Sequence, residues 1–157
     1  MGPELDRAAV GGTSAALNVY IDSSVLLRVL LGEAGRLRIW SRIDAPIASE
    51  LIRVECLRTI DRARIVLRLD DGEVSERRSA ALEAIETFTL IPVTGRILDR
   101  AAEPFPTILG SLDAIHLATA LLARDRLDGL SLATHDAELA VAARAVGFRV
   151  HGVPAGA

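Results

Sequence analysis

The sequence predicts an α/β fold, a three-layer α/β/α sandwich with a mostly parallel central sheet. Short segments rich in strand-forming residues alternate with amphipathic helical segments along the 157 residues, an order typical of parallel strands joined by helical crossovers. The composition, 50% apolar and 25% charged, is that of a globular domain. We therefore expect one domain over residues 17–153. Residues 1–16, rich in small side chains, are expected to form a flexible N-terminal arm.

The strands are predicted from short runs of apolar and β-branched residues that are bounded by polar, proline or glycine positions. The first run, Leu-Asn-Val-Tyr-Ile at residues 17–21, alternates apolar and polar side chains. The five expected strands cover residues 17–21, 46–48, 88–91, 130–133 and 148–150.

The helices are predicted from apolar residues at helical spacing and from capping residues. Ser49 is expected to cap a long helix that ends at the break Asp70-Asp71-Gly72, and Thr94 and Ser111 are expected to cap two later helices. Gly147 is expected to end the last helix. Apart from the long helix after Ser49, the expected helices cover residues 25–30, 34–42, 74–86, 94–102, 112–124 and 136–146.

Composition excludes several classes of site. All 18 basic residues are arginine, which excludes a phosphate-binding P-loop lysine and Schiff-base chemistry. The single cysteine, Cys56, excludes a disulfide framework and a cysteine-based zinc site. Apolar runs fall short of the roughly 20 residues of a membrane span, and the N-terminus lacks the apolar core of a signal peptide. We therefore expect a cytoplasmic protein without membrane contact.

The arginines are unevenly distributed. The net charge is −3, which does not indicate a general nucleic-acid binder. Between residues 28 and 68, however, arginines outnumber acids. This stretch is either a solvated helix surface or a cationic lip for a phosphate backbone.

Two aspartates closely follow predicted strands. Asp22 is the first residue after the strand at residues 17–21, and Asp136 is the third residue after the strand at residues 130–133. In parallel α/β sheets, ligands bind at the carboxyl ends of the strands, so both carboxylates are candidate site residues. Capping of the next helix is the alternative for each of them.

Two further acids lie in predicted helices. Glu55 is surrounded by apolar residues, and its alternative role is a salt bridge to Arg58 or Arg62 at helical spacing. Asp113 lies in the first turn of the most apolar helix, where it could also interact with the helix dipole. His116, one turn later, is either a hydrogen-bonded core residue or a ligand.

These four acids together indicate a site for a divalent cation. Converging carboxylates repel one another and raise one another's pKa unless a cation lies between them. Ligation by oxygen alone suits Mg²⁺ or Mn²⁺ rather than Zn²⁺. Such a cluster can orient water and stabilise the leaving oxygen of a phosphodiester. A cysteine nucleophile is not expected, because Cys56 lies mid-helix among apolar neighbours.

The four acids occur in a recognisable series of motifs. A strand ends in Asp followed by hydroxyl residues, a serine after a strand precedes an acid by six positions, an acid opens an alanine-rich helix, and a strand is followed by Thr-x-Asp. The residues are Asp22-Ser23-Ser24, Ser49 to Glu55, Leu112-Asp113-Ala114 with Ala118 and Ala120, and Thr134-His135-Asp136. In these motifs the chain resembles a PIN-domain ribonuclease, specifically a VapC-type toxin of a bacterial toxin–antitoxin pair.

The resemblance covers residues 17–153 and implies a PIN-like fold and an endoribonuclease. It implies that the four acids hold Mg²⁺ or Mn²⁺ and that water, activated by the metal, attacks an RNA phosphate to leave 5′-phosphate and 3′-hydroxyl ends. Ser23 and Thr134 would support the ligands. The expected partners are RNA, a second copy in a homodimer, and a cognate antitoxin whose tail fills the groove.

Two alternatives remain open. One is a non-catalytic PIN-like module that binds RNA or protein, which the retention of four acids disfavours. The other is a metal-dependent phosphohydrolase with an aspartate nucleophile. That chemistry commonly needs an acid two positions after Asp22 and a lysine, whereas the chain has Ser24 there and no lysine.

Overall fold

The computed structural model describes residues 17–44 and 46–156, so the arm expected at residues 1–16 lies outside the described residues. Within these ranges the chain forms five short strands and six α-helices. The strands are β1 (Val19–Ile21), β2 (Ile47–Ser49), β3 (Thr89–Ile91), β4 (Ser131–Ala133) and β5 (Val150–His151). The helices are α1 (Ser23–Leu30), α2 (Leu51–Leu67), α3 (Asp71–Glu86), α4 (Gly95–Ala102), α5 (Ser111–Arg124) and α6 (Ala137–Ala145).

The strands form one sheet in the order β3-β2-β1-β4-β5, and each pairing in the described ranges is parallel. The sheet and its helices confirm the predicted α/β fold. Every strand lies within two residues of its expected ends. In the part of the chain that the structure describes, none of the helices has both the length and the apolar character needed to cross a bilayer.

Both faces of the central strand β1 are covered. Val19 and Ile21 face one apolar cluster, and Tyr20, between them, faces the other, because successive side chains of a strand point to opposite faces. Helices α1, α2 and α3 supply the first cluster, and α5 and α6 supply the second. Burial on both faces holds the carboxyl end of β1, where the candidate site begins, in a fixed position.

The helix predicted over residues 34–42 is wrong. The structure has turns here and only a short 3₁₀ helix at Trp40–Arg42. Gly32 and Gly35 adopt φ angles of 69° and 80°, a left-handed backbone that interrupts a right-handed helix. The apolar side chains whose spacing suggested a helix belong instead to an irregular segment, in which Leu37 is buried.

Two of the predicted caps are also wrong. Ser49 is the last residue of β2, and Glu50 occupies the cap position of α2, although Ser49 Oγ still accepts a hydrogen bond from Leu51 N at 3.3 Å. Ser111 is the first residue of α5 because the extended residue Gly110 precedes it as the cap. In both helices the cap residue therefore lies one position away from the serine expected to fill that role.

The break between α2 and α3 comes slightly earlier than predicted. Arg68 ends α2 in the left-handed conformation, with φ 51° and ψ 44°. Asp70 and Glu73 then form a capping box, in which Asp70 Oδ1 accepts from Glu73 N at 2.8 Å and Glu73 Oε2 accepts from Asp70 N at 3.0 Å. This reciprocal cap starts α3 at Asp71 rather than at residue 74.

Candidate active site

The sheet changes direction between β1 and β4. The chain runs outward from β1 to β2 and β3, and then returns to the other side of β1 to form β4 and β5. At such a point the connections leave in opposite directions and open a crevice at the carboxyl ends of the strands. Asp22 N donates to Ala133 O at 3.0 Å, so the residues that follow β1 and β4 begin the crevice side by side.

Asp22 is held by hydroxyl groups from both strand ends. The residue is 3% exposed, and its Oδ2 accepts from Thr134 Oγ1 at 2.8 Å and from the hydroxyl of Ser24. Its Oδ1 accepts a longer hydrogen bond, 3.4 Å, from Ser23 Oγ. A carboxylate this deeply buried needs such donors. Thr134 and Ser23 therefore both contact Asp22, as a supporting role requires.

Ser24 is a site residue that the sequence analysis missed. Its hydroxyl donates to Asp22 Oδ2 and accepts from His135 N at 2.9 Å, so it bridges the turns after β1 and β4. A hydroxyl two positions after a capping aspartate is a local signal that could have identified it, because such side chains commonly bond to nearby polar groups at helix starts.

Asp136 is connected to Asp22 through Thr134. Its backbone N–H donates to Thr134 Oγ1 at 2.9 Å, and its Oδ1 accepts from Leu139 N at 2.9 Å, which caps α6. Asp22 caps α1 in the same way, so helix capping is confirmed for both aspartates. A cap occupies only part of the lone-pair capacity of a carboxylate, so capping is compatible with binding a cation.

The salt bridge proposed for Glu55 is wrong. Arg58 pairs instead with Asp61, at 3.2 Å, and Glu55 Oε2 lies 2.6 Å from His116 Nε2. The ring is fully buried, whereas the Glu55 side chain is 17% exposed. Glu55 therefore points inward across the sheet end to α5 rather than along the surface of its own helix.

His116 lies between two of the candidate acids. Its Nε2 is 3.8 Å from Asp22 Oδ1 as well as 2.6 Å from Glu55 Oε2, and its Nδ1 is 2.8 Å from Tyr20 Oη. Burial lowers the pKa of His116, but the Glu55 hydrogen bond and the charges of Asp22 and Glu55 outweigh it and leave the pKa raised. His116 is a hydrogen-bonded core residue, as one of the two interpretations held.

Asp113 lies in the first turn of α5, one turn before His116. Partial burial raises the pKa of its carboxyl to about 6, assisted by the charges of Asp136, Asp22 and Glu55 and opposed by His116. Asp113 is therefore within electrostatic reach of each of the other three candidate acids.

Cys56 plays no nucleophilic part. It is fully buried on α2, and burial, with the charges of Glu55 and Asp22, raises the pKa of its thiol to about 12. The thiol stays protonated at neutral pH, whereas the thiolate is the nucleophile.

The acids come together but do not already enclose a metal ion. Among residues 17–44 and 46–156, no group of three or more His, Cys, Asp and Glu side chains has the geometry of a metal site. The carboxylates of Asp22, Glu55 and Asp136 are each hydrogen-bonded to protein groups. The donor set itself fits Mg²⁺ or Mn²⁺, because all four donors are carboxylates whose charges add, and Mg²⁺ contacts only one or two protein carboxylates while keeping waters. The assignment of the four as ligands stays a prediction.

A cationic cavity of about 550 Å³ opens beside the carboxyl end of β4. Arg36, Arg38, His135 and His151 are among its lining residues. The arginine-rich stretch thus divides into two parts. Arg58 and Arg64 of α2 are exposed and both pair with Asp61 of the same helix, as on a solvated surface. The arginines before the 3₁₀ helix line a cavity instead.

Comparison with known proteins places the chain in a family. Its sequence matches the PIN domain over residues 19–145. It is 35% identical over 135 residues to Ribonuclease VapC46 of Mycobacterium tuberculosis, covering 84% of this chain and 95% of that protein. It is 30% identical over 132 residues to Ribonuclease VapC47 of the same species, covering 83% and 93%.

A solved structure shows the same fold. A toxin–antitoxin complex from Klebsiella pneumoniae contains a chain that is 21% identical and superposes with a TM-score of 0.56, covering 78% of this chain and 90% of that one. The sheet order, the acids at the strand ends and the sequence matches all indicate the same family. The chain belongs to the PIN-domain family, within the group of the VapC ribonucleases.

Proposed function

We propose that this protein is the toxin of a toxin–antitoxin pair. It acts as an endoribonuclease that uses Mg²⁺ or Mn²⁺ to hydrolyse RNA phosphodiester bonds, leaving 5′-phosphate and 3′-hydroxyl ends. The observation that carries the proposal is that acids from separate segments lie together at the switch point of the sheet. Asp22 and Glu55 both lie close to His116 Nε2. Thr134 Oγ1 connects Asp22 with Asp136. Membership of the VapC group supports the same activity.

The four acids Asp22, Glu55, Asp113 and Asp136 are the proposed ligands and catalytic residues. When bound, the cation would supply orientation of the attacking water and stabilisation of the leaving oxygen. Without the cation, the carboxylates of Asp22, Glu55 and Asp136 are each hydrogen-bonded to a protein group. These donors orient the carboxylates toward the site, as groups that support metal ligands do.

The cationic cavity supports RNA as the substrate. Arg36 and Arg38 line it, and guanidinium groups pair well with phosphate oxygens. His135, the residue before Asp136, also lines the cavity. An RNA strand whose phosphates contact the arginines would therefore continue toward the acids. A chain without lysine must neutralise RNA phosphates with arginine.

An antitoxin and a second copy of the chain are the proposed protein partners, and the cytoplasm is the proposed compartment. A solved structural neighbour is a toxin–antitoxin complex. An arginine in the tail of an inhibitor could pair with the carboxylates in place of the cation. Residues 17–153 form the proposed nuclease domain.

The proposal is tested with Asp22→Asn, which keeps a side chain able to cap α1 but removes one negative charge. Purified wild type is expected to cleave RNA with Mg²⁺ or Mn²⁺ and not with EDTA, whereas Asp22→Asn should be inactive with an unchanged circular dichroism spectrum. Asp61→Asn is the control and should keep full activity, because Asp61 is a partly exposed acid of α2 that pairs with Arg58.

The outcomes separate the alternatives. Undiminished cleavage by Asp22→Asn rejects that residue. RNA binding without turnover by wild type indicates a non-catalytic module, and hydrolysis of small phosphate esters without RNA cleavage indicates a phosphohydrolase.

A further inference from the structure

A buried chain of hydrogen bonds leads from the backbone of β2 to the candidate acid Glu55. Ser49 N donates to Tyr20 Oη at 3.2 Å, Tyr20 Oη lies 2.8 Å from His116 Nδ1, and His116 Nε2 lies 2.6 Å from Glu55 Oε2. Tyr20, His116 and Ser49 are fully buried. These hydrogen bonds therefore join β1, β2, α5 and α2 in a region closed to solvent.

The directions of the two hydrogen bonds of the His116 ring depend on its tautomer, and we assign them from the neighbouring donors and acceptors. Tyr20 Oη accepts from Ser49 N, so its own proton is available for Nδ1 of a neutral His116 ring. The ring proton then resides on Nε2, which faces Glu55. A charged ring also carries a proton on Nε2. The hydrogen bond to Glu55 is therefore present in either charge state of the ring.

The position of His116 relative to the other acids makes this bond useful. Asp113 and His116 lie one turn apart on α5, so their separation is fixed by the helix. Asp22 Oδ1 is 3.8 Å from the same Nε2. Glu55, in contrast, has a long side chain with several rotamers and is partly exposed, so its carboxylate could turn to solvent without a partner.

We infer that His116 is a positioning residue for Glu55. Tyr20 orients the His116 ring, and the ring holds the Glu55 carboxylate beside Asp22 and Asp113, ready to receive the cation. This inference rests on the proposed metal-dependent function, and it assigns His116 and Tyr20 a role that neither ligation nor core packing gives them. It predicts that affinity for the cation depends on a donor at the position of Nε2.

The experiment compares three variants of His116 and Tyr20 with the wild type. His116→Leu removes the donor and puts an apolar side chain in its place. His116→Gln retains an amide N–H that can occupy the position of Nε2. Tyr20→Phe removes only the hydroxyl. Mn²⁺ alone is titrated into each protein by calorimetry. Ser131→Ala is the control, because it removes a buried hydroxyl that contacts Asn18 O at the opposite end of the strands.

His116→Leu is expected to weaken Mn²⁺ binding by roughly 10- to 100-fold, the usual effect of losing a group that orients a ligand. His116→Gln should restore most of the affinity, Tyr20→Phe should lose part of it, and Ser131→Ala should bind as wild type does. In RNA cleavage, the Mn²⁺ concentration needed for half-maximal rate should rise in parallel, while KM for RNA stays unchanged.

A second measurement does not depend on the metal or on the folding of a variant. The ¹⁵N and ¹H spectrum of the His116 ring in metal-free wild type should show a proton on Nε2. A neutral ring protonated on Nδ1, or wild-type Mn²⁺ affinity in a folded His116→Leu, overturns the inference. A wild type that binds Mn²⁺ but fails to cleave RNA overturns the proposed function and leaves the variant comparison decisive for the inference.

Discussion

Thr134 Oγ1 donates a 2.8 Å hydrogen bond to Oδ2 of Asp22, which lies 112 positions earlier in the chain. The same oxygen accepts from Asp136 N at 2.9 Å. One hydroxyl thus satisfies a buried carboxylate and a backbone N–H that belong to two candidate ligands. This double use fixes the separation of Asp22 and Asp136 more tightly than packing of the strand ends alone.

Thr134→Val should therefore damage both stability and activity. The substitution keeps the volume but leaves Asp136 N without its acceptor and removes a donor from Asp22, at a cost of about 2 kcal/mol. Urea unfolding should show this loss, and RNA cleavage should fall. Thr119→Val is the matched control, a fully buried threonine whose hydroxyl donates to Ile115 O of its own helix. An equal effect of the two substitutions would contradict the special role of Thr134.

Asp113→Asn should stabilise the metal-free protein at neutral pH. The folded state keeps a proton on Asp113 up to a pKa of about 6, whereas the ordinary pKa is 3.8. Between these values the folded state binds more protons than the unfolded state, so stability falls as pH rises from about 4 to 6. Asparagine cannot ionise and avoids this loss.

The expected gain is roughly 1 kcal/mol above pH 6, because solvent screening of a half-exposed carboxyl reduces the full linkage energy. It is measured by urea unfolding in EDTA at pH 4 and pH 7. Asp99→Asn, an exposed acid of α4, should keep the wild-type dependence on pH. A gain for Asp113→Asn that is the same at both pH values would refute the electrostatic explanation.

Gly152→Ala should disrupt the support of the site. Gly152 has a φ of 103°, and a Cβ there would overlap the carbonyl oxygen of Thr134 and approach His135. The backbone of Thr134 cannot yield freely, because Thr134 N donates to His151 O at 3.0 Å. We expect a loss of roughly 3 kcal/mol, together with reduced RNA cleavage.

Gly129→Ala provides the comparison for Gly152→Ala. Its φ is 69°, and a Cβ there would meet no heavy atom within 4 Å. Only the backbone strain of a left-handed alanine applies, about 1 kcal/mol. Thermal unfolding of both variants separates the effect of the collision from the effect of backbone strain. Similar losses of stability in the two variants would show that the collision with Thr134 is relieved at little cost.

Arg68→Gly should stabilise the protein. Arg68 ends α2 with φ 51° and ψ 44°, a conformation that costs a side-chain-bearing residue about 1 kcal/mol and costs glycine little. After the larger entropy loss of glycine on folding, we expect a net gain of about 0.5 kcal/mol in urea unfolding. Arg62→Gly, in the exposed interior of α2, should instead lose about 1 kcal/mol, and a loss at Arg68 as well would contradict the argument.

Much of the fold was predictable because its signals are local. The strands follow from runs of apolar and β-branched residues, and the carboxyl-end rule directs attention to Asp22 and Asp136 before any coordinates are known. The segment at residues 34–42 could not be predicted in the same way. Its apolar spacing resembles a helix, and only the left-handed backbone of Gly32 and Gly35 shows that the chain turns there.

The contacts within the site were less predictable than its members. Nothing in the spacing of Glu55 distinguishes a salt bridge along α2 from a hydrogen bond across the sheet to His116, because the second contact joins residues 61 positions apart. The role of Ser24 depends on the same kind of meeting, since its hydroxyl accepts from His135 N. Long-range partners of this kind require the sheet order.

The sheet order also sets the time at which the site is completed during synthesis. The ribosome releases β1 with Asp22 early, whereas β4, which pairs with β1 on its other side, and β5, which pairs with β4, are synthesised more than 100 residues later. A growing polypeptide therefore carries Asp22 without the hydroxyl of Thr134 and without the β5 backbone that fastens it. The finished arrangement of acids therefore arises only after β4 and β5 have been synthesised, and a chain that stops before them lacks the complete site.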